Sequence, residues 1–183
     1  MARIQKPPAG RLIVAVIHAH IDACADALNV LEKQFGRIQA ETTDLPCTNI
    51  DQYAEEMGDS LVRRFFAFER PIDRDRLPEI KSICHKIESQ FGDAVDDYTF
   101  RTVNLDPGIV TPDNVVMVSH REYNHRIYLT NGVFAELVLV WSKNGFARMP
   151  WTPADFYHDE SIDFFLRIRE SFDKPKRLEP SRT

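Results

Sequence analysis

A strand–helix–strand pattern occurs twice within about the first 105 residues, and it constrains the fold of this chain more than any other feature. The first unit opens with the run LIVAVI at 12–17, a short apolar segment rich in β-branched residues that is typical of a strand buried on both faces. Asp22 is the predicted N-cap of a helix that ends at Gly36, since glycine commonly follows the last turn of a helix. A second strand is predicted over residues 37–43.

The second unit repeats this plan. Residues 61–69 predict a strand, and Asp73 or Asp75 can cap a helix that ends at Gly92. A further strand is predicted over residues 98–105. Two such units in succession have the order βαββαβ, so the sequence predicts an α+β fold with a ferredoxin-like core and right-handed crossovers.

An antiparallel extension is predicted after this core. Its elements are strands over residues 115–119, 123–129, 133–141 and 146–149 and a final helix over residues 160–172. Asn131-Gly132 is a strong signal for the two-residue turn of a hairpin. We expect one domain over residues 1–173, followed by a flexible tail over residues 174–183.

Composition narrows the classes of partner. The formal net charge is −5, from 28 acidic and 23 basic side chains, which weighs against a strong sequence-independent binder of nucleic acid. Cys24, Cys47 and Cys84 form no CxxC pair, and their odd number at wide spacing favours a reducing, cytoplasmic compartment. The apolar run at 12–17 is too short for a membrane span, so no membrane association is expected.

A family resemblance rests on short segments distributed along the chain. They are Lys6-Pro7, NLDPG from Asn104 to Gly108, HRIYL from His125 to Leu129, and Pro150-Trp151-Thr152. Together they resemble DUF4416, an uncharacterised prokaryotic family. The resemblance extends over nearly the whole chain and implies no established activity or cofactor. The chain also lacks a GxxxxGK[ST] motif, so no phosphate-binding loop of that type is expected.

Glu136 is the most anomalous residue, because it interrupts the apolar strand VFAELVLVW. A two-residue turn at 131–132 would pair Ile127 with Glu136 and place His125 diagonally beside it, with Arg126 on the opposite face. A neighbouring His and Glu can act as a general base with its orienting partner, or as two metal ligands. The alternatives are a solvated face or a purely structural pair of Glu136 with His125 or an arginine.

Asp106 is the second candidate. Asp106-Pro107-Gly108 fits a type II turn, with the carboxylate accepting hydrogen bonds from the turn backbone. Asn104 and Asp106 would then lie at a strand end and could join the cluster around Glu136. His125, Glu136 and Asp106 are therefore the candidate catalytic residues. Asn104, Arg126 and Arg64 are the candidate ligand-binding residues, and no metal is assigned.

Three functions remain open from the sequence. The first is a small hydrolase-like domain or a binder of a polar or anionic ligand. The second is a nucleic-acid-binding module that uses Arg63, Arg64 and Phe66, although Phe65 stands where the RNA-recognition motif has glycine. The third is a dimerising or scaffolding domain without chemistry. His18-Ala19-His20 has a known metal-ligand spacing, but the strand and helix signals around it account for the segment.

Overall fold

The computed structural model describes residues 3–48, 51–58, 60–95 and 98–173, and the predicted tail lies outside these residues. Its α-helices are α1 (Ile21–Phe35), α2 (Asp51–Met57), α3 (Leu77–Glu88) and α4 (Asp159–Asp173). The first six strands are β1 (Gly10–His18), β2 (Ile38–Glu41), β3 (Leu45–Pro46), β4 (Val62–Ile72), β5 (Gly92–Val95) and β6 (Tyr98–Arg101). The others are β7 (Val103–Val110), β8 (Asn114–Ser119), β9 (Ile127–Thr130), β10 (Val133–Ser142) and β11 (Gly145–Arg148).

One large antiparallel sheet of nine strands organises this α+β fold. Its strands follow the order β11-β10-β8-β7-β1-β4-β2, with β3 paired to β4 and β9 paired to β10. β5 and β6 form a separate hairpin. β1 pairs with β4 and β7 along its two edges, and helices pack on both of its faces, which explains why its sequence is an uninterrupted apolar run. Among the described residues, no helix is long and apolar enough to cross a membrane.

Each face of the sheet carries its own core. Leu12, Val14 and Val16 of β1 pack against α1 and α3, while Ile13 and Ala15 pack on the side of α4. This alternation follows from the two-residue period of a strand. The structure therefore consists of a sheet sandwiched between α1 and α3 on one side and α4 on the other.

The first helix begins two residues earlier than predicted. α1 starts at Ile21, and the residue at its N-cap is His20, which makes no side-chain capping hydrogen bond; Asp22 lies within the first turn. The predicted end is confirmed, because Gly36 has a φ of 93° and its amide donates to the carbonyl of Glu32 at 2.8 Å.

The predicted turn at Asp106-Pro107-Gly108 is wrong, since all three residues lie inside β7. The amide and carbonyl of Leu105 bond to side chains of α3, so they point away from β1. Backbone groups two residues apart in a strand point the same way, so the nitrogen of Pro107 also points away from β1. On that side β8 pairs only with Gly108 and later residues, so the missing amide hydrogen of proline leaves no strand bond unmade.

The Asn131-Gly132 turn forms, but the register behind it differs from the prediction. Asn131 and Gly132 have φ values of 50° and 69°, and Thr130 pairs with Val133 as expected. A bulge at Leu129 then pairs Phe134 with Tyr128 instead. The predicted strand over 123–129 is also shorter, since β9 begins at Ile127. One inserted residue is enough to bring Arg126, rather than Ile127, opposite Glu136.

Candidate functional site

A cavity opens where β7 and β8 separate. Their pairing runs from Val110–Val115 to Gly108–Met117 and goes no further. Beyond this point, Asp106 of β7 and Ser119 of β8 border a cavity of about 240 Å³. Its volume lies slightly below the roughly 300–1,000 Å³ of common ligand clefts, which suits a small molecule.

Glu136 lies at this cavity with two basic neighbours. Its side chain is 8% exposed, and its Oε2 accepts a hydrogen bond from Arg126 Nε at 2.5 Å. His125 Nε2 lies 3.5 Å from the same oxygen. The expected meeting of His125 with Glu136 is thus present, whereas Arg126 lies on the same face and not on the opposite one. A carboxylate in an apolar strand is tolerated here because a guanidinium hydrogen-bonds to it.

Aromatic rings hold His125 in place. The imidazole stacks between Trp151 at 4.9 Å and Tyr123 at 5.8 Å, measured between ring centroids. Trp151 is itself fixed, because its Nε1 donates to the carbonyl of Leu137 at 2.8 Å. The guanidinium of Arg126 lies over the ring of Tyr123 at 4.8 Å. These contacts orient His125 toward the cavity that all four residues line.

Arg63 also lines this cavity. From the sequence, Arg63 was predicted only as part of a nucleic-acid-binding surface. Its Nε lies 3.0 Å from Asp155 Oδ2, and both side chains are buried. Asp155 also accepts hydrogen bonds from the amide and hydroxyl of Thr48. The guanidinium of Arg63 lies 5.0 Å from the ring centroid of Phe156. The sequence does carry a signal for Arg63, because a charged residue within a largely apolar strand is anomalous in the same way as Glu136.

Asp106 joins the cavity through a partly buried ion pair with Lys81. Lys81 Nζ donates to Asp106 Oδ1 at 3.0 Å, and Asn104 Nδ2 donates to Asp106 Oδ2 at 2.8 Å. Burial alone would raise the pKa of Asp106, but Lys81, Asn104 and Arg63 together hold this pKa below its ordinary value. Asp106 is therefore an ionised carboxylate at neutral pH. Lys81 escaped sequence reasoning, because nothing local distinguishes it from a surface lysine of a helix.

A second, wider cleft of about 680 Å³ adjoins the first cavity. The two share Tyr53, Asp106, Ser119 and Arg121, which form the waist between them. Asn104 lines the second cleft and not the first. Burial raises the pKa of Tyr53 to about 12, and Asp106 adds to this effect, so the phenol at the waist is neutral.

Arg64 is the candidate residue that the structure places elsewhere. It follows Arg63 in β4 and so faces the other side of the sheet, where its Nη2 donates to Glu41 Oε2 at 2.9 Å. Phe66 and Phe68 share that face and are fully buried. They cannot stack on bases in this conformation. His18 is also buried there, with its Nε2 3.5 Å from Asp44 Oδ1.

A family model described as a domain of unknown function, DUF4416, matches residues 8–172. This chain belongs to the DUF4416 family. Comparisons with curated proteins and with solved structures gave no match. In this DUF4416 domain the NLDPG segment lies in β7, where Asn104 and Asp106 face the two clefts. Over the described ranges, no group of three or more His, Cys, Asp or Glu side chains is placed to hold a metal ion.

Proposed function

We propose that this DUF4416 domain binds a small anionic ligand in the cavity between β7 and β8. The observation that carries the proposal is the presence of Arg63, Arg121 and Arg126 around one cavity of a chain whose net charge is −5. Guanidinium groups present several N–H donors in a plane and suit carboxylate and phosphate oxygens.

The carboxylates of the cavity neutralise part of this positive charge but do not use every hydrogen-bond donor of the arginines. Asp106 is already bound by Lys81, and Glu136 is already bound by Arg126. The recorded hydrogen bonds of Arg126 use Nε toward Glu136 and Nη1 toward the carbonyl of Arg121. Among the described residues, no hydrogen bond from its Nη2 is found, which leaves this donor for a ligand. Partial burial strengthens such a contact, because fewer waters screen it.

The test is calorimetric titration with inorganic phosphate, sulfate and acetate at low salt, together with thermal unfolding. A ligand present at 100 times its Kd should stabilise the fold by about 2.7 kcal/mol. Arg126→Lys keeps the charge beside Glu136 but loses the planar donors, so the affinity should fall about tenfold, or ~1.4 kcal/mol. Arg64→Lys is the matched control, since Arg64 faces the other side of the sheet.

Two outcomes would refute the proposal. In the first, none of the three anions binds or stabilises the wild-type protein. In the second, Arg126→Lys and Arg64→Lys, both shown to be folded by circular dichroism, bind anions equally well. Arg63→Lys gives an independent check, because Arg63 lines the cavity from a different strand.

A hydrolase-like activity is the second candidate, and the contact between His125 and Glu136 supports it. A water held in the cavity could be deprotonated by His125, with Glu136 orienting the imidazole and Asp106 as a further candidate catalytic group. The expected result is slow hydrolysis of p-nitrophenyl phosphate that His125→Gln abolishes while phosphate binding persists. Equal rates for the two proteins would exclude this role of His125.

The strand order β7-β1-β4-β2 supports a ferredoxin-like core, with β1, β2, β4 and β7 as its four strands. A cytoplasmic location remains a prediction, supported by the free thiols of Cys24, Cys47 and Cys84. Homodimer formation also remains a prediction. Analytical ultracentrifugation of the purified domain tests it directly.

A further inference from the structure

The second cleft differs chemically from the first cavity. The residues found to line it in the described part of the chain are all polar or charged, and none is aliphatic. Three of them, Lys81, Glu88 and Asn104, are at most 4% exposed, so their polar atoms are largely removed from bulk water. A cleft of this composition does not suit an apolar group, because the group would displace water from exposed polar side chains such as His85 and Ser89 without replacing its hydrogen bonds.

The charges of this cleft are balanced in pairs. Lys81 contacts Asp106 at 3.0 Å, while Arg101 contacts Glu56 at 2.5 Å and Glu88 at 3.4 Å. A second anionic group would therefore meet Glu56 and Glu88 as well as Arg101. The cleft therefore presents both hydrogen-bond donors and hydrogen-bond acceptors, and neither charge sign dominates its lining. Hydroxyl groups, which both donate and accept, match such a surface.

The two sites are continuous at their shared waist. Tyr53, Asp106, Ser119 and Arg121 line both, so a single molecule can extend from one into the other. Asp106 offers carboxylate oxygens at the waist, and Tyr53 and Ser119 offer hydroxyls. His85 and His120 line the second cleft but not the first cavity, and their ring centroids are 5.6 Å apart. Imidazole nitrogens there add further donors or acceptors beyond the waist.

We propose that the ligand of this domain is a polyol that carries one anionic group, of the sugar phosphate or sugar acid class. The anionic group occupies the first cavity beside Arg126, and the hydroxyl-bearing part crosses the waist into the second cleft. This inference rests on the proposed anion-binding function. It adds the chemistry of the rest of the ligand.

The experiment compares matched ligands by titration calorimetry of the whole chain. The probes are inorganic phosphate, glucose 6-phosphate, ribose 5-phosphate, gluconate, glucose and phenyl phosphate. We expect at least one of the three polyol anions, namely glucose 6-phosphate, ribose 5-phosphate and gluconate, to bind about tenfold more tightly than both inorganic phosphate and phenyl phosphate. The comparison of sugar phosphates with gluconate identifies the preferred anionic group. Glucose should bind far more weakly than either charged form.

Variants locate the two parts of the ligand. His85 is exposed on α3, so His85→Ala should leave the fold and phosphate binding intact while reducing the affinity for the sugar ligand about threefold or more. His20→Ala, at an exposed position outside both sites, is the matched control and should change neither affinity. Arg126→Lys should weaken the binding of both ligands.

The possible failures are distinguishable. If phosphate binds but no polyol anion binds more tightly, or if phenyl phosphate binds most tightly, the polyol inference is wrong and the anion-binding function stands. If His85→Ala leaves sugar affinity unchanged, the second cleft is not the polyol site. If no anion binds at all, the proposed function itself is wrong.

Discussion

Glu136 shows how a single carboxylate can be accommodated inside an apolar strand. Glu136 is itself buried, its neighbours along β10 are buried or half-buried as far as Trp141, and an unpaired charge in such a position would cost several kcal/mol. Arg126 meets this cost with a hydrogen bond at 2.5 Å, and His125 adds a contact at 3.5 Å. The same three side chains line the cavity, so the structural pair and the candidate site share their atoms.

The stability of the fold should therefore depend on Glu136. Removing one partner of a largely buried ion pair leaves the other without compensation, so Glu136→Ala should lower the free energy of unfolding by about 3 kcal/mol. Urea unfolding measures this change. Glu41→Ala, which removes the half-exposed partner of Arg64, should cost less than about 1 kcal/mol. Similar costs for the two variants would show that Glu136 is no more constrained than a surface residue.

His18 should make stability depend on pH. Burial lowers the pKa of His18, outweighing the opposite effect of Asp44, and Arg64 lowers the pKa further. The folded state thus favours the neutral ring. The contribution of His18 to the free energy of unfolding is fully present above the ordinary histidine pKa of about 6.5 and decreases as the pH falls below that value. At a pH one unit below it, the loss should reach at most about 1.4 kcal/mol.

Urea unfolding at pH 7.5 and 5.5 tests this dependence. The difference in unfolding free energy between the two pH values should shrink in His18→Gln and stay unchanged in His20→Gln, because His20 is exposed. If both variants respond to pH as the wild type does, His18 is not the responsible group.

At the scale of elements, α3 takes the place of a strand beside β7. Where β8 has separated, the amide of Leu105 donates to Glu88 Oε1 at 2.5 Å and its carbonyl accepts from Lys81 Nζ at 2.9 Å. Side chains of α3 thereby satisfy backbone groups that would otherwise form an open sheet edge. Because side chains of α3 bond to the backbone of β7 in place of a neighbouring strand, a cleft can exist next to the middle of the sheet.

Lys81→Met should therefore disturb more than one ion pair. It leaves the carbonyl of Leu105 and the carboxylate of Asp106 without their main donor, so the free energy of unfolding should fall by about 3 kcal/mol. The pKa of Asp106 should rise, which an NMR titration of its carboxyl carbon detects. Lys86→Met, at an exposed position of the same helix, is the control and should change stability by less than about 0.5 kcal/mol.

For the whole molecule, the shared sheet should make unfolding cooperative. The core beneath α1 and α3 and the core beneath α4 both use β1 and β4, so neither can be lost while the other stays packed. Trp141 packs on the α4 side, and Trp151 is bonded to β10. Cys84 is buried beneath α3, and burial raises its pKa to about 12, so its thiol should react only after opening.

We expect tryptophan fluorescence and thiol labelling of Cys84 to give the same midpoint in urea. Labelling in a Cys24→Ala, Cys47→Ala background isolates Cys84 as the probe. Two separate midpoints would show that the two sides of the sheet unfold independently.

The sequence by itself determined the elements whose signals are local. The apolar run of β1, the helical spacing of α1, α3 and α4, and the positive φ values required at Asn131 and Gly132 depend on neighbouring residues along the chain. The anomaly of Glu136 was visible for the same reason, since it contrasts with its own strand. These features follow from propensity and periodicity, which act over a few residues.

The tertiary structure alone decided which side chains meet. Asp106-Pro107-Gly108 has the composition of a turn, yet it lies in a strand because β1 pairs along one side and β8 has separated on the other. The bulge at Leu129 brought Arg126 to Glu136, and packing of α3 brought Lys81 to Asp106. Such contacts join distant segments, and their energies depend on burial and on partners that no local pattern of residues contains.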